Sequence, residues 1–550
     1  MTGPGDLCPL TAADGLPFVF GEPASQPDSP LLSLPSELLH RVVFESAADS
    51  PAVLVRIASA CRALRIFVFE NPDTALWRDI LITRYDDPRE AAAYPVARER
   101  IDWKKLVKER TFVERVMEKT KDIDELARIV DRLNDTLVDM YLDLPPKSAA
   151  LSEMEDTADP HLFFAQPATR NGPILEHLLR TPAFEKLYAT FSAHEPEYRQ
   201  NPDQPYYLRR RRRRPISIPA LARLHALLAP KNTDDMDPAT ETYADARAHR
   251  GYVRELVYSG SHYREDNDWA PLRPDGTVDW TLVDAIGDVM MLNAMDVLSM
   301  GVDLWSVSQP PMSYGIESVR GLGFLGLERP ANLAPDEPWD WAGIGGWWNG
   351  SYAFMEYRHW VRLNEPHLLQ VRRGVPPLDL STYAEAIGDL MEMQLIVDRC
   401  PSDADDAYSD LLGIKRGQIE QAPIETQLPV SDLLPPIHFH GWSRQVSTGV
   451  SHPSGAPHSF VRGVVRLTAD NPPEIRWTIV ISYGGADRWR LECAQVGGRG
   501  ARRGFFGAWT DADREEHSPN GPVWYWKKPE ASAASDQNSG LARESALGRA

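Results

Sequence analysis

Two histidines at alternate positions form the pattern in this sequence that could most directly support chemistry. His438 and His440 flank Phe439, and residues two apart on a strand point to the same side, so the two imidazoles could chelate a metal ion. His452 and His458 follow as further imidazoles. However, no Asp or Glu stands at a recognisable ligand spacing, and histidines beside Pro and Trp are commonly polar surface residues. We therefore predict neither a metal site nor a cofactor.

Motifs of the common enzyme classes are missing from the sequence. It has no Gly-x-Ser-x-Gly nucleophile elbow, no His-Glu-x-x-His zinc motif and no phosphate-cradling glycine loop. The run Gly497-Gly498-Arg499-Gly500 follows a predicted strand without a clear helix after it, so its phosphate-binding signal is weak. These observations favour a protein that is not an enzyme. The alternative is a metal- or small-ligand-binding β-domain enzyme with a helical amino terminus.

A second group of residues could recognise a protein partner. Arginine binds carboxylate or phosphate through two parallel hydrogen bonds, and a neighbouring aromatic ring adds a desolvated anchor. Six polar or aromatic residues near the predicted loops of the carboxyl-terminal region are our predicted target-binding residues: Tyr483, Asp487, Arg499, Arg502, Arg503 and Trp509. The alternative for Tyr483 and Trp509 is burial in the core, whereas the three arginines are harder to bury.

A run of six arginines, Arg209 to Arg214, has three interpretations. Like charges at adjacent positions repel one another, which favours a solvated and poorly ordered loop. Such a run could also be a nuclear-import signal, or it could contact nucleic acid or an acidic substrate tail. The sequence does not separate these three possibilities.

Composition limits the classes of partner. The net charge is −20 and the isoelectric point is near 5.2, which disfavours a general role at nucleic acid or an acidic membrane, since those surfaces attract basic proteins. The four cysteines are widely spaced and read as reduced thiols: Cys8, Cys61, Cys400 and Cys493. No signal peptide and no apolar run of about 18 residues is present. We expect a cytoplasmic or nuclear protein.

The elements that must position these residues follow from changes in composition and hydrophobic period. We predict seven regions: a disordered leader, a three-helix module, a helical extension, a proline-rich region with the arginine run, a helical and tryptophan-rich middle, a β-rich domain and a disordered tail. Their ranges are 1–30, 31–82, 83–145, 146–240, 241–390, 391–528 and 529–550. The predicted fold class is α+β.

The β-rich domain shows a period of two. Its strongest strand is predicted over 474–483, where Trp477, Ile479 and Ile481 share one face. Further strands are predicted over 391–397, 460–468, 488–496, 505–510 and 523–527. A meander of this kind indicates an antiparallel sandwich or a small barrel. Five tryptophans between positions 338 and 360, interspersed with glycines, suggest a structural aromatic cluster, with ligand stacking as the alternative.

The amino-terminal module is unusually apolar. Of the 52 residues in 31–82, 30 are apolar, about 58% against 43% for the whole chain. A helical module of this size cannot bury so many apolar side chains unaided, so it needs a partner or the rest of its own chain.

This stretch resembles the F-box, the motif through which substrate receptors dock on the Skp-type adaptor of cullin-RING ubiquitin ligases. The resemblance is carried by Leu34-Pro35, Glu37-Leu38-Leu39, Val42, Cys61-Arg62 and Leu76-Trp77-Arg78. It implies an adaptor interface, with Leu38, Leu39 and Trp77 as its buried anchors. The implied interface residues are Leu34, Pro35, Leu38, Leu39, Val42, Leu54, Cys61, Leu64, Leu76 and Trp77. The alternative is an ordinary helical bundle packed on its own chain.

The carboxyl-terminal part resembles a group of fungal F-box proteins. The matching segments are Pro435 to Phe439, Gly463 to Arg466, Ile475 to Trp477, Tyr483 to Gly485, Gln495 to Gly498 and Trp509 to Lys527. This resemblance implies a substrate-recognition subunit of a Skp-cullin-F-box ubiquitin ligase. Its partners would be the Skp-type adaptor, the cullin and a protein target that the β-rich domain selects.

Overall fold

The structure is a computed structural model that describes residues 29–98, 100–120, 123–147, 169–183, 219–228, 241–299, 316–365, 378–400, 403–412, 422–446, 459–514 and 517–528. The predicted leader and tail, the arginine run, His452 and His458 lie outside the described residues. The chain divides into two compact units, residues 1–80 and 81–550. Within the described ranges, no helix is long and apolar enough to cross a membrane.

The first unit is helical. Its helices are α1 (Ser36–Ala47), α2 (Val53–Ala60) and α3 (Arg62–Arg65), which a π-helical turn (Ile66–Glu70) extends, and α4 (Ala75–Arg84) begins within it. Pro35, whose φ of −50° suits entry into a helix, immediately precedes α1. The extended backbone of Cys61, with φ −161° and ψ 164°, separates α2 from α3.

Large apolar side chains form the buried part of this unit. Those of Leu39, Val43, Leu54, Leu64 and Val68 are buried. The indole N–H of Trp77, which is also buried, donates a hydrogen bond to the carbonyl of Val68 at 2.8 Å. This bond fixes the start of α4 against the π-helical turn and satisfies the only polar atom of the indole.

The second unit combines helices with a sheet. Its helices in the described ranges are α5 (Trp103–Lys119), α6 (Ile123–Arg128), α7 (Val130–Leu142), α8 (Asn171–Leu179), α9 (Pro219–Leu228), α10 (Glu241–Tyr258), α11 (Trp280–Ser299), α12 (Tyr357–Asn364) and α13 (Asp403–Leu412). The apolar helix α11 packs against strands β8 and β9 of the sheet. Its Val289 and Met290 side chains are buried in the core.

The sheet closes into an eight-stranded antiparallel barrel. Its strands are β1 (Gly346–Phe354), β3 (Met391–Val397), β4 (Ile437–Gln445), β5 (Ser459–Leu467), β6 (Ile475–Tyr483), β7 (Ala486–Gln495), β8 (Phe505–Asp511) and β9 (Gly521–Lys527), while the short β2 (Ala386–Ile387) pairs with β1. Each strand pairs with its neighbour in this order, and β1 pairs with both β3 and β9. The structure therefore confirms the mixed fold and the barrel, but β1 lies in a region that we had assigned to a helical middle.

Aromatic side chains fill the barrel. The ring of Trp477 lies 5.0 Å from that of Trp348 and 4.6 Å from that of Phe505, measured between centroids. Gly463 makes room for this packing, because a Cβ atom there would lie 2.5 Å from the ring of Phe439. An eight-stranded barrel is just wide enough either for its own side chains or for one small ligand, and here side chains occupy the interior.

The outer face of the barrel is also buried over β5, β6 and β7. Arg476, Thr478 and Ser482 point away from the interior but are almost inaccessible to solvent. The extended segment 422–428 runs across them and accepts hydrogen bonds from arginines of β5 and β7 through its backbone carbonyls. Because both faces of β6 are buried, its residues do not alternate strictly between apolar and polar, and the apolar Val480 stands on the otherwise polar outer face.

Candidate functional site

Exposed apolar side chains concentrate in the first unit. Of thirteen large apolar residues that are exposed among those the structure describes, five lie in this unit: Leu31, Leu38, Val42, Val55 and Ile66. Leu38 is 53% exposed and Val42 is 43% exposed. They are four residues apart on α1, so they lie on the same side of the helix, one turn from each other. Such density of exposed apolar surface is typical of a protein-binding site.

The ten predicted adaptor-binding residues fall into three groups by exposure. Pro35, Leu38 and Val42 are exposed, and Leu34 and Cys61 are half-buried. The remaining five are buried: Leu39, Leu54, Leu64, Leu76 and Trp77. Leu38 is thus accessible to a partner, whereas the side chains of Leu39 and Trp77 are already buried within this chain, and their role as anchors for a partner stays a prediction.

The six predicted target-binding residues have mostly structural contacts. The side chain of Arg503 is 0% exposed, and its guanidinium donates to the hydroxyl of Ser318 at 2.8 Å. That of Arg499 donates to the backbone carbonyls of Trp341 and Gly323 at 3.1 and 3.0 Å. Arg503 therefore has no surface with which to meet a partner, whereas Arg499 is half-buried and its role in target binding stays a prediction. Guanidinium groups with several donors can be buried where backbone carbonyls accept their hydrogen bonds.

The other members of that set divide between interior and surface. Asp487 is paired with Arg462, and Trp509 lies in the barrel core with its indole N–H donating to the carbonyl of Ala353 at 2.9 Å. Tyr483 remains 42% exposed and Arg502 is half-buried. The structure therefore leaves Tyr483, Arg499 and Arg502 of the six at least partly at the surface.

The His438 and His440 pair does not converge with a third ligand. Nδ1 of His440 is hydrogen-bonded to Asp398, and its ring stacks on that of Phe460 at 6.1 Å. Burial and nearby Arg466 lower the pKa of His438. Among the described residues, the three side chains that could bind one metal ion are His225, Asp284 and Asp288 instead.

This cluster lies between helices α9 and α11. Asp284 and Asp288 are one turn apart on α11, and Nδ1 of His225 on α9 lies 2.6 Å from Oδ1 of Asp284. All three side chains are buried, and their ligand atoms lie within 4.8 Å of one another. In the structure as it stands, the His225–Asp284 contact is a hydrogen bond, and each residue of the cluster has further interactions in the chain.

A polar cleft of about 340 Å³ lies where β8 ends and β9 begins. Four segments that are distant in sequence form its walls: 259–263 after α10, Trp269, the end of α12, and residues 510–514 and 517–520 around the β8–β9 connection. Among the described residues that line it, the charged or titratable side chains are those of Glu365, Asp511, Arg514 and His517. No sequence motif marks this cleft, because its residues are brought together only by closure of the barrel.

The backbone around this cleft is strained. Four non-glycine residues among those described have positive φ angles: Asp268 at 56°, Trp269 at 56°, Arg514 at 55° and His517 at 67°. Three of them line the cleft, and Asp268 is adjacent to Trp269. Residues other than glycine in this region cost on the order of 1 to 3 kcal/mol each and persist only where the surrounding structure holds them, commonly at functional sites.

A cation–π pair holds two of these strained residues together. The guanidinium carbon of Arg514 lies 3.8 Å from the ring centroid of Trp269, and the guanidinium donates to the carbonyl of Asp268 at 3.3 Å. Burial, reinforced by the positive charge of Arg490, lowers the pKa of Arg514 to about 10. Its charge remains present at neutral pH but is directed toward the barrel wall, where Glu492 lies 3.8 Å away.

Hydrogen bonds also fix the opposite wall. The indole N–H of Trp360 donates to Oδ1 of Asn520 at 2.8 Å, and Nδ2 of Asn520 donates to the carbonyl of Val257 at 2.9 Å. Asn364 donates to the carbonyl of Tyr258 and accepts from the amide of Gly260. The two amide side chains thus tie α10, α12 and the β8–β9 connection into one frame.

Comparisons of this chain with protein-family models, with curated proteins and with solved structures find no match.

Proposed function

We propose that this chain is the substrate-recognition subunit of a Skp-cullin-F-box type ubiquitin ligase, acting in the cytoplasm or the nucleus. In this proposal the first unit docks on a Skp-type adaptor, which connects it to a cullin. The barrel unit binds the protein target. The protein itself performs no covalent chemistry.

The observation that carries the proposal is the exposure of Leu38 and Val42 on α1. Both residues belong to the F-box-like pattern, and both present apolar side chains to solvent one helical turn apart. Leaving such side chains exposed forgoes about 1.5 to 3 kcal/mol each, which binding to an apolar partner surface would recover. The filled barrel interior adds support, because it leaves a protein target to be recognised at the outer surface.

The first prediction tests this docking surface. In the variant Leu38→Asp/Val42→Asp, two charges replace exposed apolar contacts, so binding to a purified Skp-type adaptor should weaken by at least about a hundredfold in biolayer interferometry. Because both positions are exposed, the variant should fold and melt like the wild type.

The matched control is Leu433→Asp, which places the same charge at a leucine that is 48% exposed in the second unit. Adaptor binding of this control should be unchanged. Undiminished binding by the double variant, or equal loss in the control, would contradict docking through α1.

The His225, Asp284 and Asp288 cluster favours a second candidate function, a metal-binding enzyme with a helical amino terminus. Metal analysis of the purified chain separates it from the first candidate. A stoichiometric transition metal that is lost in Asp288→Asn would favour the enzyme, whereas a metal-free protein that binds the adaptor would favour the receptor.

A further inference from the structure

We propose that the cleft between α10, α12 and the β8–β9 connection binds a guanidinium group, so that the target of this receptor is recognised through an arginine side chain. This inference rests on the proposed function for the identity of the partner. The cleft itself can be tested without the adaptor.

Several neutral donors of the cleft walls are already used within the protein, whereas the buried hydroxyl of Thr510 has no hydrogen-bond partner among the described residues. The indole N–H of Trp360 and the amide of Asn520 have the hydrogen bonds described above, and the amide of Asn364 is likewise engaged. The hydroxyl of Tyr263 donates to the carbonyl of Val257 at 3.0 Å. A ligand that needs hydrogen-bond donors from these groups would have to break the hydrogen bonds that hold the cleft walls together.

The groups that retain capacity are mainly acceptors. Glu365 is half-buried and carries a carboxylate whose Oε1 lies 3.3 Å from Nδ1 of His517. The carboxylate of Asp511 is buried, and its salt bridge with the exposed Arg488 is long, at 3.4 Å. A carboxylate has about four lone-pair sites, so both groups can accept further hydrogen bonds. Two formal negative charges in one cleft favour a cationic guest rich in donors.

Arg514 does not cancel this preference. Its guanidinium stacks on Trp269, donates to the carbonyl of Asp268 and lies near Glu492, so its charge is directed into the barrel wall. The strained backbone at Trp269 and Arg514 maintains that orientation. Strain that fixes a wall before the ligand arrives reduces the entropic cost of binding.

Between the two cations that proteins offer, the cleft suits arginine better than lysine. A guanidinium is planar, has five donors and stacks favourably against indole rings, whereas an ammonium is a strongly hydrated point charge. Trp269, which lines the cleft, is half-buried and can contact a ligand, whereas Trp360 lines the cleft but is only 4% exposed. The net charge of −20 on the whole chain would also attract a basic target segment.

The second prediction tests this assignment on the full-length chain, with N-acetyl-arginine N-methylamide as the probe. The comparison ligand is N-acetyl-citrulline N-methylamide, which has nearly the same shape but no charge. In ligand-observed NMR titrations, the arginine probe should bind at least about tenfold more tightly, because citrulline lacks the charge that the two carboxylates stabilise.

Two variants locate the binding. Glu365→Gln and Asp511→Asn should each weaken binding of the arginine probe by about tenfold, because each removes one negative charge from the cleft. In Asp511→Asn, the side-chain oxygen of the asparagine can still accept the hydrogen bond from the backbone amide of Asp513. The matched control is Glu356→Gln, which removes a carboxylate just before α12 and away from the cleft.

Equal binding of the two probes would overturn the proposal, as would undiminished binding by Glu365→Gln or an equal loss in the control. Melting temperatures identify a variant that has failed to fold. If Asp511→Asn fails to fold, Glu365→Gln alone still tests the proposal. Since no adaptor is present, failure here leaves the docking proposal intact, and failure of docking leaves this result intact.

Discussion

At the scale of single residues, buried arginines of the second unit form ion pairs and hydrogen bonds within the chain. Arg476 and Arg490, on the outer face of the barrel, converge on the buried Glu492 at 2.9 and 2.7 Å. Arg476 also binds Asp268 at 2.9 Å, which connects the barrel to the strained turn beside the cleft. Burial alone would favour the neutral acid, but the two arginines hold the pKa of Glu492 below its ordinary value.

The third prediction concerns this buried network. Glu492→Gln removes the charge that neutralises Arg476 and Arg490 and should lower the free energy of unfolding by about 3 to 5 kcal/mol, as expected when a buried ion pair loses one partner. Urea denaturation followed by tryptophan fluorescence measures the change. In the control Glu425→Gln, which alters an exposed carboxylate 3.2 Å from Arg466, the change should stay below about 0.5 kcal/mol. Similar stabilities of both variants would refute the role of Glu492.

At the scale of elements, a partly buried ion pair helps to hold helix α9 against the barrel. Arg223 on α9 binds Glu474, which immediately precedes β6, and the guanidinium of Arg223 lies 5.1 Å from the ring of Trp280 on α11. Burial raises the pKa of Glu474 from 4.5 to about 7, and the positive charge of Arg223 opposes this rise. Docking of α9 should therefore depend on pH.

The fourth prediction follows from the direction of this pKa change. Between pH 4.5 and pH 7 the folded chain holds a proton on Glu474 that the unfolded chain has lost, so this group's contribution to stability falls as pH rises and levels off above pH 7. Glu474→Gln should remove that part of the slope. Melting temperatures of wild type and variant at pH 5.0 and pH 7.5 test this, because other titrating groups contribute equally to both proteins. Parallel slopes would contradict it.

The success of sequence analysis also differed by element. Strands β3 and β5 to β9 were predicted because alternating apolar residues such as Trp477 and Ile479 are the direct signature of one buried face. Strand β1 was missed because its Gly, Trp, Asn and Ser residues resemble a loop, although Gly350 is required there: a Cβ atom would lie 2.0 Å from the ring of Tyr525. The cleft was missed because it depends on closure of the barrel between β1 and β9, which local patterns do not encode.

At the scale of the whole molecule, closure of the barrel limits how its parts can be separated. Removing residues 391–550 would delete seven of the eight barrel strands and leave β1 paired only with the short β2, and α11 would lose the surface on which it packs. Such a truncation would expose a large apolar area and aggregate. A test of the division of labour between the two units therefore needs point variants in the full-length chain.

The fifth prediction compares four full-length proteins by proximity labelling in cells: wild type, Leu38→Asp/Val42→Asp, Glu365→Gln/Asp511→Asn and the combination of both pairs. The two pairs of substitutions lie in separate compact units, so their effects should add. The variant Leu38→Asp/Val42→Asp, with its pair of substitutions on α1 (the α1 pair), should no longer label the adaptor and the cullin but should still label the targets. The cleft pair should keep the adaptor and lose the targets that are labelled through an arginine-containing segment, and the combination should lose both. If the α1 pair also lost the targets, or if the cleft pair kept the full set, target selection would have to depend on the assembled ligase or on another surface such as that around Tyr483.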